Sequence, residues 1–340
     1  MAKQKKFNIP RKKGKETNWK NLNRSILWRI KAAKRKKETA KYSAFFQKKL
    51  KHCPICNNKQ YQTFVIIYGY KYAECKSCGH IFMQPPLDLK AVRHMYSGGK
   101  KSSMQDKIYI NNENLFKKRI KQIATPKVEY CNGIIKKKGV WIDIGCGVGE
   151  MLIAAEKTGW KVFGIEPDLR EVKFAKQHGL NVAQDFITTD NAEQLRDADV
   201  VSLISVLEHI NNPSEFLQNI VNALPRNAYV IIEVPRHPSL SSFVNLVFPN
   251  LAYRHIHSPE HLHIFTEKSL ATMFSRARLK AVGMWEFGQD VSDLILLAAA
   301  NASKKESQFI GMIYKLVPDL QKVVDEKSMS DTIFIVTKKF

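Results

Sequence analysis

Val140-Trp141-Ile142-Asp143-Ile144-Gly145-Cys146-Gly147-Val148-Gly149-Glu150 runs from a near-continuous apolar stretch into three alternating glycines. An apolar run of that length suits a strand buried on both faces, as in a parallel sheet. The glycines let a ligand approach the main chain closely, and a helix start puts free backbone N–H groups there. A dinucleotide fingerprint needs glycine at the first, third and sixth places. Counted from Gly145, the sixth place is Glu150, a poor neighbour for a pyrophosphate.

Downstream, strands and helices alternate. The pattern predicts a helix over 150–158, a strand over 161–165, a helix over 169–178 and a short strand at Val182. It continues with a strand over 199–206, a helix over 213–224 starting after Asn212, and a strand over 229–234. That rhythm implies an α/β fold with a doubly wound, Rossmann-like sheet. Residues 236–264 interrupt it. A helix over 267–278, a strand over 281–287, further helices and a last strand over 332–337 complete it, and there are no internal repeats.

Carboxylates recur at the strand ends of this region. Asp143 precedes the glycines, and Gly164-Ile165-Glu166-Pro167-Asp168 closes the second strand. Asp185-Phe186 follows the third, and Ser205-Val206-Leu207-Glu208-His209-Ile210 ends the fourth, at the edge where doubly wound folds bind ligands. The set resembles the class I S-adenosylmethionine-dependent methyltransferases over roughly residues 88–340. The resemblance implies that Asp143, Gly145, Gly147 and Gly149 hold the methionine part of the cofactor, whose ammonium and sulfonium suit an acidic loop. It implies that Glu166 accepts both ribose hydroxyls, that Asp185 and Phe186 surround the adenine, and that Ser205 lies at the cofactor edge. Asp168 reads as the cap of the next helix.

Cys53-Pro54-Ile55-Cys56 and Cys75-Lys76-Ser77-Cys78-Gly79 form two C-x₂-C knuckles with 18 residues between them. Such pairs supply the four thiolates of a closed, structural zinc site. One zinc on Cys53, Cys56, Cys75 and Cys78 is therefore expected, with Phe64 to Tyr72 as hairpin strands and His52 and His80 as bystanders. Cys131 and Cys146 read as small buried residues. A four-cysteine zinc ribbon ahead of such a domain resembles sugar C-methyltransferases and relatives from polysaccharide and natural-product pathways. Those chains commonly carry a further C-terminal Rossmann-like domain, whereas this one is expected to end with the methyltransferase sheet.

Four of the ten histidines fall within 255–263, in the insertion. His257, His261 or His263, together with His209, are candidates to take a proton from a methyl acceptor, since histidine titrates in the useful range. Two other readings stand beside this one: a lid closed by hydrogen bonds, and a divalent-metal site with Glu208 or Glu260.

The chain has 340 residues, enough for about two domains. Its 44% hydrophobic content excludes a disordered protein. The net charge is +24, but residues 1–51 carry +17 of it, which leaves +7 for the other 289. Residues 1–17 read as a disordered arm. From Trp19, an apolar stripe of Leu22, Ile26, Ile30 and Ala33 predicts a basic amphipathic helix. That helix suits an anionic membrane surface, nucleic-acid phosphates, or packing on the body of the protein. No apolar run reaches the ~18 residues needed to span a bilayer, and no signal segment is visible. The expected compartment is the cytoplasm, peripheral at the inner membrane surface.

The divisions read as a basic arm and helix (1–51), a four-cysteine zinc module (52–86), a helical lead-in (87–138) and the methyltransferase domain (139–340). The leading functional reading is methyl transfer to an oxygen, carbon or nitrogen of a small molecule, such as a sugar or a lipid-linked intermediate. The alternatives are RNA or protein methylation through the basic arm and zinc module, and a non-catalytic cofactor-binding scaffold.

Overall fold

The computed structural model describes residues 7–15, 49–88, 110, 112–188, 191–249, 256, 258–300 and 312–340, without the side chains of 297–300. The amphipathic helix expected after Trp19 lies outside the described residues, as does His257. Along the chain come strands β1 (Arg11–Lys13), β2 (Tyr61–Ile67), β3 (Tyr70–Cys75) and β4 (Ile81–Met83). Helices α1 (Glu113–Arg119) and α2 (Thr125–Ile134) follow, joined by a π-helical turn at Ile120–Ala124. The alternating region is β5 (Val140–Ile144), α3 (Glu150–Glu156), β6 (Lys161–Ile165), α4 (Leu169–Gln177), β7 (Val182–Ala183), β8 (Val200–Ile204), α5 (Pro213–Ala223) and β9 (Tyr229–Pro235). The last stretch holds α6 (Leu240–Val247), β10 (His263–Ile264), α7 (Glu267–Arg276) and β11 (Leu279–Phe287). It ends with α8 (Asp290–Ala300), α9 (Val317–Glu326) and β12 (Thr332–Lys339). Expected ends shift by a few residues. The fourth strand stops at Ile204, because Ser205 turns to φ 56° and Leu207–His209 forms a 3-10 turn.

The chain divides into two compact units that cut across the divisions expected from sequence. One gathers Met1–Asp88, Val234–Thr272 and Met284–Phe334; the other gathers Leu89–Glu233, Met273–Gly283 and Ile335–Phe340.

In the second unit the parallel strands lie in the order β7-β6-β5-β8-β9. Ile142 of β5 is matched by Phe163 of β6 and by Val201 of β8, so β5 is flanked on both sides. The chain therefore winds one way from β5 through β6 and the other way through β8. Between the carboxyl ends of β5 and β8 such winding leaves the crevice where ligands bind in folds of this kind. Capping begins the helices: Asp168 accepts from Arg170 N to start α4, and Asn212 does so for α5 with Pro213 in its first turn. Phe116 of α1 meets Phe174 of α4 edge to face at 5.0 Å, and Trp141 meets Trp160 at 5.2 Å. Each such pair adds about 0.5–1.5 kcal/mol beyond its buried area.

In the first unit, β2, β3 and β4 form an antiparallel sheet, and β10 pairs with β4 through His263↔Phe82 and Ile264↔Ile81. The hairpin that carries the knuckles thus takes its fourth strand from the histidine-rich segment. Helices α6, α8 and α9 share a cluster of Val291, Ile295 and Val317, with Leu240 packed against it.

Residues 7–15 correct one expectation, since part of the basic arm is ordered. β1 adds to the end of β11 in parallel, pairing Arg11 with Met284 and Lys13 with Glu286. The cause is charge matching. Arg11 reaches buried Glu267 at 2.7 Å and buried Glu286 at 3.3 Å, and buried Arg236 lies 3.1 Å from Glu286. Lys12 sits 3.9 Å from the centre of the Trp285 ring, a cation–π contact.

Burial works to raise the Glu267 carboxyl, but the hydrogen bond and charge of Arg11 outweigh it and hold it below its ordinary range. A depressed folded value gives stability that is present above the unfolded value and is lost as pH falls through the folded one. Arg11→Ala should cost about 2 kcal/mol near neutral pH, because two buried carboxylates then share Arg236. Its chemical-denaturation stability should also depend less on pH on the acid side. Parental stability in the variant would refute this account of β1.

Candidate active site

The carboxyl-end loops of the second unit are tied to one another. Gly145, Gly147 and Gly149 take φ values of 69°, 54° and 85°, all in the left-handed region that favours glycine. A Cβ on Gly149 would lie 2.2 Å from Leu180 Cδ1, and one on Gly145 would lie 2.8 Å from Val206 Cγ2. The turn can therefore neither be twisted nor padded without moving its neighbours.

The loop's own N–H groups are largely used within the protein, which refines the reading from sequence. Gly145 N and Cys146 N donate to Ile165 O at 2.7 and 3.3 Å, and Gly149 N donates to Cys146 O at 3.0 Å. Gly147 N donates to Glu166 Oε2 at 2.9 Å, and Asp168 N to Glu166 Oε1 at 2.9 Å. Glu166 is buried and points at the glycine loop, so its carboxylate stitches the loop after β5 to the loop after β6.

Asp143 is buried beneath the loop and accepts from Ser202 Oγ, which accepts in turn from Trp141 Nε1 at 2.7 Å. Burial pushes its carboxyl up to about 7, against the pull of Ser202 and Lys127. Asp185 is exposed, and both of its oxygens are engaged locally, accepting from Phe186 N and Asn191 Nδ2 at 2.7 Å each. Phe186 is half-buried beside it. Across the crevice, Ser205 N donates to Glu233 O at 3.0 Å, and Lys127 pairs with the Glu233 carboxylate at 2.6 Å. The backbone of Ser205 is strained for a non-glycine residue, a condition that concentrates at ligand sites. Glu208 enters the sequence reading only as an alternative metal ligand. It is buried, and burial together with the nearby Glu233 charge pushes it up to about 8. The signal in the sequence is a carboxylate directly after a buried strand.

The candidate histidines fall in both units. His209 ends the 3-10 turn that follows β8 in the second unit. In the first unit, His261 is half-buried and its carbonyl accepts from Tyr72 Oη at 2.7 Å. His263 is 3% exposed, lies on β10, and its Nδ1 is 3.0 Å from Nε2 of fully buried His80. That sealed pair suits the lid reading for His263, and it makes His80 a packing partner where the sequence suggested a bystander. His257 lies outside the described residues.

The knuckles converge. The four sulfurs of Cys53, Cys56, Cys75 and Cys78 all lie within 4.8 Å of one another, with Cys53–Cys78 at 3.7 Å and Cys56–Cys75 at 3.4 Å. Thiolates about 2.3 Å from a tetrahedral zinc lie about 3.8 Å apart, so the set fits that ion. Each knuckle closes through a left-handed residue, Asn57 (φ 62°) or Gly79 (φ 70°). Elemental analysis of the purified chain should find one zinc per molecule, and Cys75→Ser should lose it. A parent that stays metal-free after zinc supplementation would exclude the site.

The raised value of Glu208 carries a sign. A carboxyl whose folded value lies above its ordinary 4.5 gives stability that is complete below that value and drains as pH rises towards about 8. Glu208→Gln should flatten the decline of melting temperature over that window. An unchanged slope would show that Glu208 ionises normally.

Residues 115–282 match the model of a family described as methyltransferase domain. Among curated proteins, a ubiquinone biosynthesis O-methyltransferase of Actinobacillus pleuropneumoniae is 30% identical over 98 residues, 26% of this chain and 41% of that protein. A mitochondrial protein of the same name from Arabidopsis thaliana is 30% identical over 105 residues, 28% of this chain and 32% of its own length. The chain thus spans well under half the length of these relatives. Among solved structures, a SAM-dependent methyltransferase from Archaeoglobus fulgidus has a TM-score of 0.47 at 19% identity, covering 70% of this chain and 100% of that one. The plantazolicin methyltransferase BpumL in complex with SAH has a TM-score of 0.45 at 17% identity, covering 74% and 94%.

Proposed function

We propose that the chain binds S-adenosylmethionine at the carboxyl ends of β5 and β6 and methylates an oxygen of a small, lipid-linked acceptor. The observation that carries the cofactor reading is the Glu166 carboxylate, locked against Gly147 N and Asp168 N beside three left-handed glycines. Two acids, Asp143 below the loop and Glu166 beside it, give a negative cradle. That charge suits a cationic ligand and would repel a pyrophosphate. When bound, the cofactor supplies an electrophilic methyl group on a sulfonium.

The chain's own work is then to hold and deprotonate. Glu166 fixes the ribose side of the site, with Asp185 and Phe186 after β7 on the adenine side. Ser205 and His209 follow β8 at the opposite lip of the crevice. His209 is the candidate to take the proton of the acceptor hydroxyl. Positioning supplies much of the rate in a displacement of this kind. The oxygen acceptor and its lipid linkage are favoured by the ubiquinone-biosynthesis names of the curated relatives. The zinc of the four cysteines is assigned a structural role, since four thiolates leave no open position. Segment 1–51, at +17, is assigned an anionic surface as its partner.

Calorimetry tests the cofactor reading first. S-adenosylhomocysteine should bind the parent, and Glu166→Gln should weaken binding about tenfold or more, about 1.4 kcal/mol, because an amide cannot accept from both backbone N–H groups. No heat with the parent refutes the reading. Transfer of labelled methyl to a catechol bearing an isoprenoid tail tests the acceptor; turnover with sugars alone would overturn that half.

A further inference from the structure

Two helices of the first unit are inside out. On α6, Ser241, Ser242 and Asn245 are buried, while Phe243, Leu246 and Val247, with Phe248 at the cap, are 44%, 37%, 67% and 51% exposed. On α9, Gln321 and Asp325 are buried, while Leu316 just before the helix, Leu320 and Val323 are 52%, 43% and 53% exposed. Asn245 donates to Ser241 O, Ser241 donates to Asp290, and Gln321 donates to Asp325 at 2.8 Å. The polar cluster around Asp290 therefore dictates which faces turn inward, and the apolar faces point out. Both helices are linked through α8, which packs on each and exposes Leu294. Ile66 of β2, an element packed against α6, is 54% exposed as well.

Scattered exposed apolar residues need no explanation, but runs of them along two helices that pack on one common helix mark surfaces built for contact. Their composition distinguishes between partners. Protein interfaces draw their energy from Trp, Tyr and Arg. The exposed residues on these helices are Leu, Val and Phe, and residues 312–340 contain no arginine. Their exposed cations on α9 and its ends are Lys315, Lys322 and Lys327, side chains that reach past an apolar face towards phosphate. Exposed Asp319 and Glu326 offset two of them, so the long-range attraction falls to segment 1–51 with its +17.

We propose that the outer faces of α6 and α9 dock on the surface of an anionic lipid bilayer, lying in the headgroup region as interfacial helices do. This inference does not rest on the methyl-transfer reading, because it uses neither the crevice nor the cofactor.

The test is flotation of the full-length chain with vesicles of phosphatidylcholine and phosphatidylglycerol at three to one, and with phosphatidylcholine alone. The parent should float with the mixed vesicles. Val247→Glu/Leu320→Glu should reduce the bound fraction about tenfold, since acids on the docking face are repelled by lipid phosphate and by the apolar layer alike. Val247→Ser/Leu320→Ser, which adds no charge, should give a smaller loss in the same direction. An unchanged cooperative melting transition followed by circular dichroism certifies that the variants are folded and keeps this result separate from the cofactor question. A parent that fails to float overturns the proposal. So do variants that float as well as the parent, which would leave all binding to the basic segment. A parental dimer in sedimentation that becomes monomeric in the variants also overturns it, by assigning the face to a second copy of the chain.

Discussion

The Glu166 carboxylate bridges two loops that the sheet alone would leave independent. One oxygen accepts from the glycine turn after β5 and the other from its own loop after β6, each at 2.9 Å. Charge-assisted bonds of this sort are about twice as strong as neutral ones. They also require ionisation, so the site keeps a fixed negative charge where two strands end. Everything suggested for the crevice inherits that constraint. The turn is held by left-handed glycines, two of which leave no room for a Cβ, and Asp143 lies beneath it with its charge opposed by burial and favoured by Ser202.

The first unit solves a different electrostatic problem. Glu267 and Glu286 are sealed from solvent, and neither could stay charged there unaided. Arg236 comes from the loop after β9, and Arg11 from a strand near the start of the chain. Part of the basic surplus of the first 51 residues is thus consumed as internal counter-charge. Further along, buried Asp290 collects Ser241 and the backbone of Asp331. That demand fixes the rotation of α6 and turns its phenylalanine and valine outward.

The sequence was most legible where local signals and the sheet agree. The apolar run at Val140–Ile144, the alternate glycines, the caps at Asp168 and Asn212 and the two knuckles each carry their meaning within a few residues. Less was legible where a partner lies far away in the chain. Nothing local to Arg11 announces Glu267, so β1 read as a disordered arm. Nothing around His80 or His263 announces their pairing, which needs the register of β10 on β4. The helix rotations of α6 and α9 were illegible for the same reason. Periodicity favours burying Leu320 and Val323, and only the distant Asp290 network explains why Gln321 goes in instead.

The pairing of β10 with β4 also sets a timetable. The knuckles, at residues 53–56 and 75–79, can meet soon after they leave the ribosome, because their four sulfurs come from a span of 26 residues. The edge of β4 that receives His263 and Ile264 must wait for about 180 further residues to be made. At 5–20 residues per second that is roughly ten to forty seconds, during which a short strand edge stands open. A hairpin held by a cation on its four cysteines would persist through such an interval where a bare one would fray.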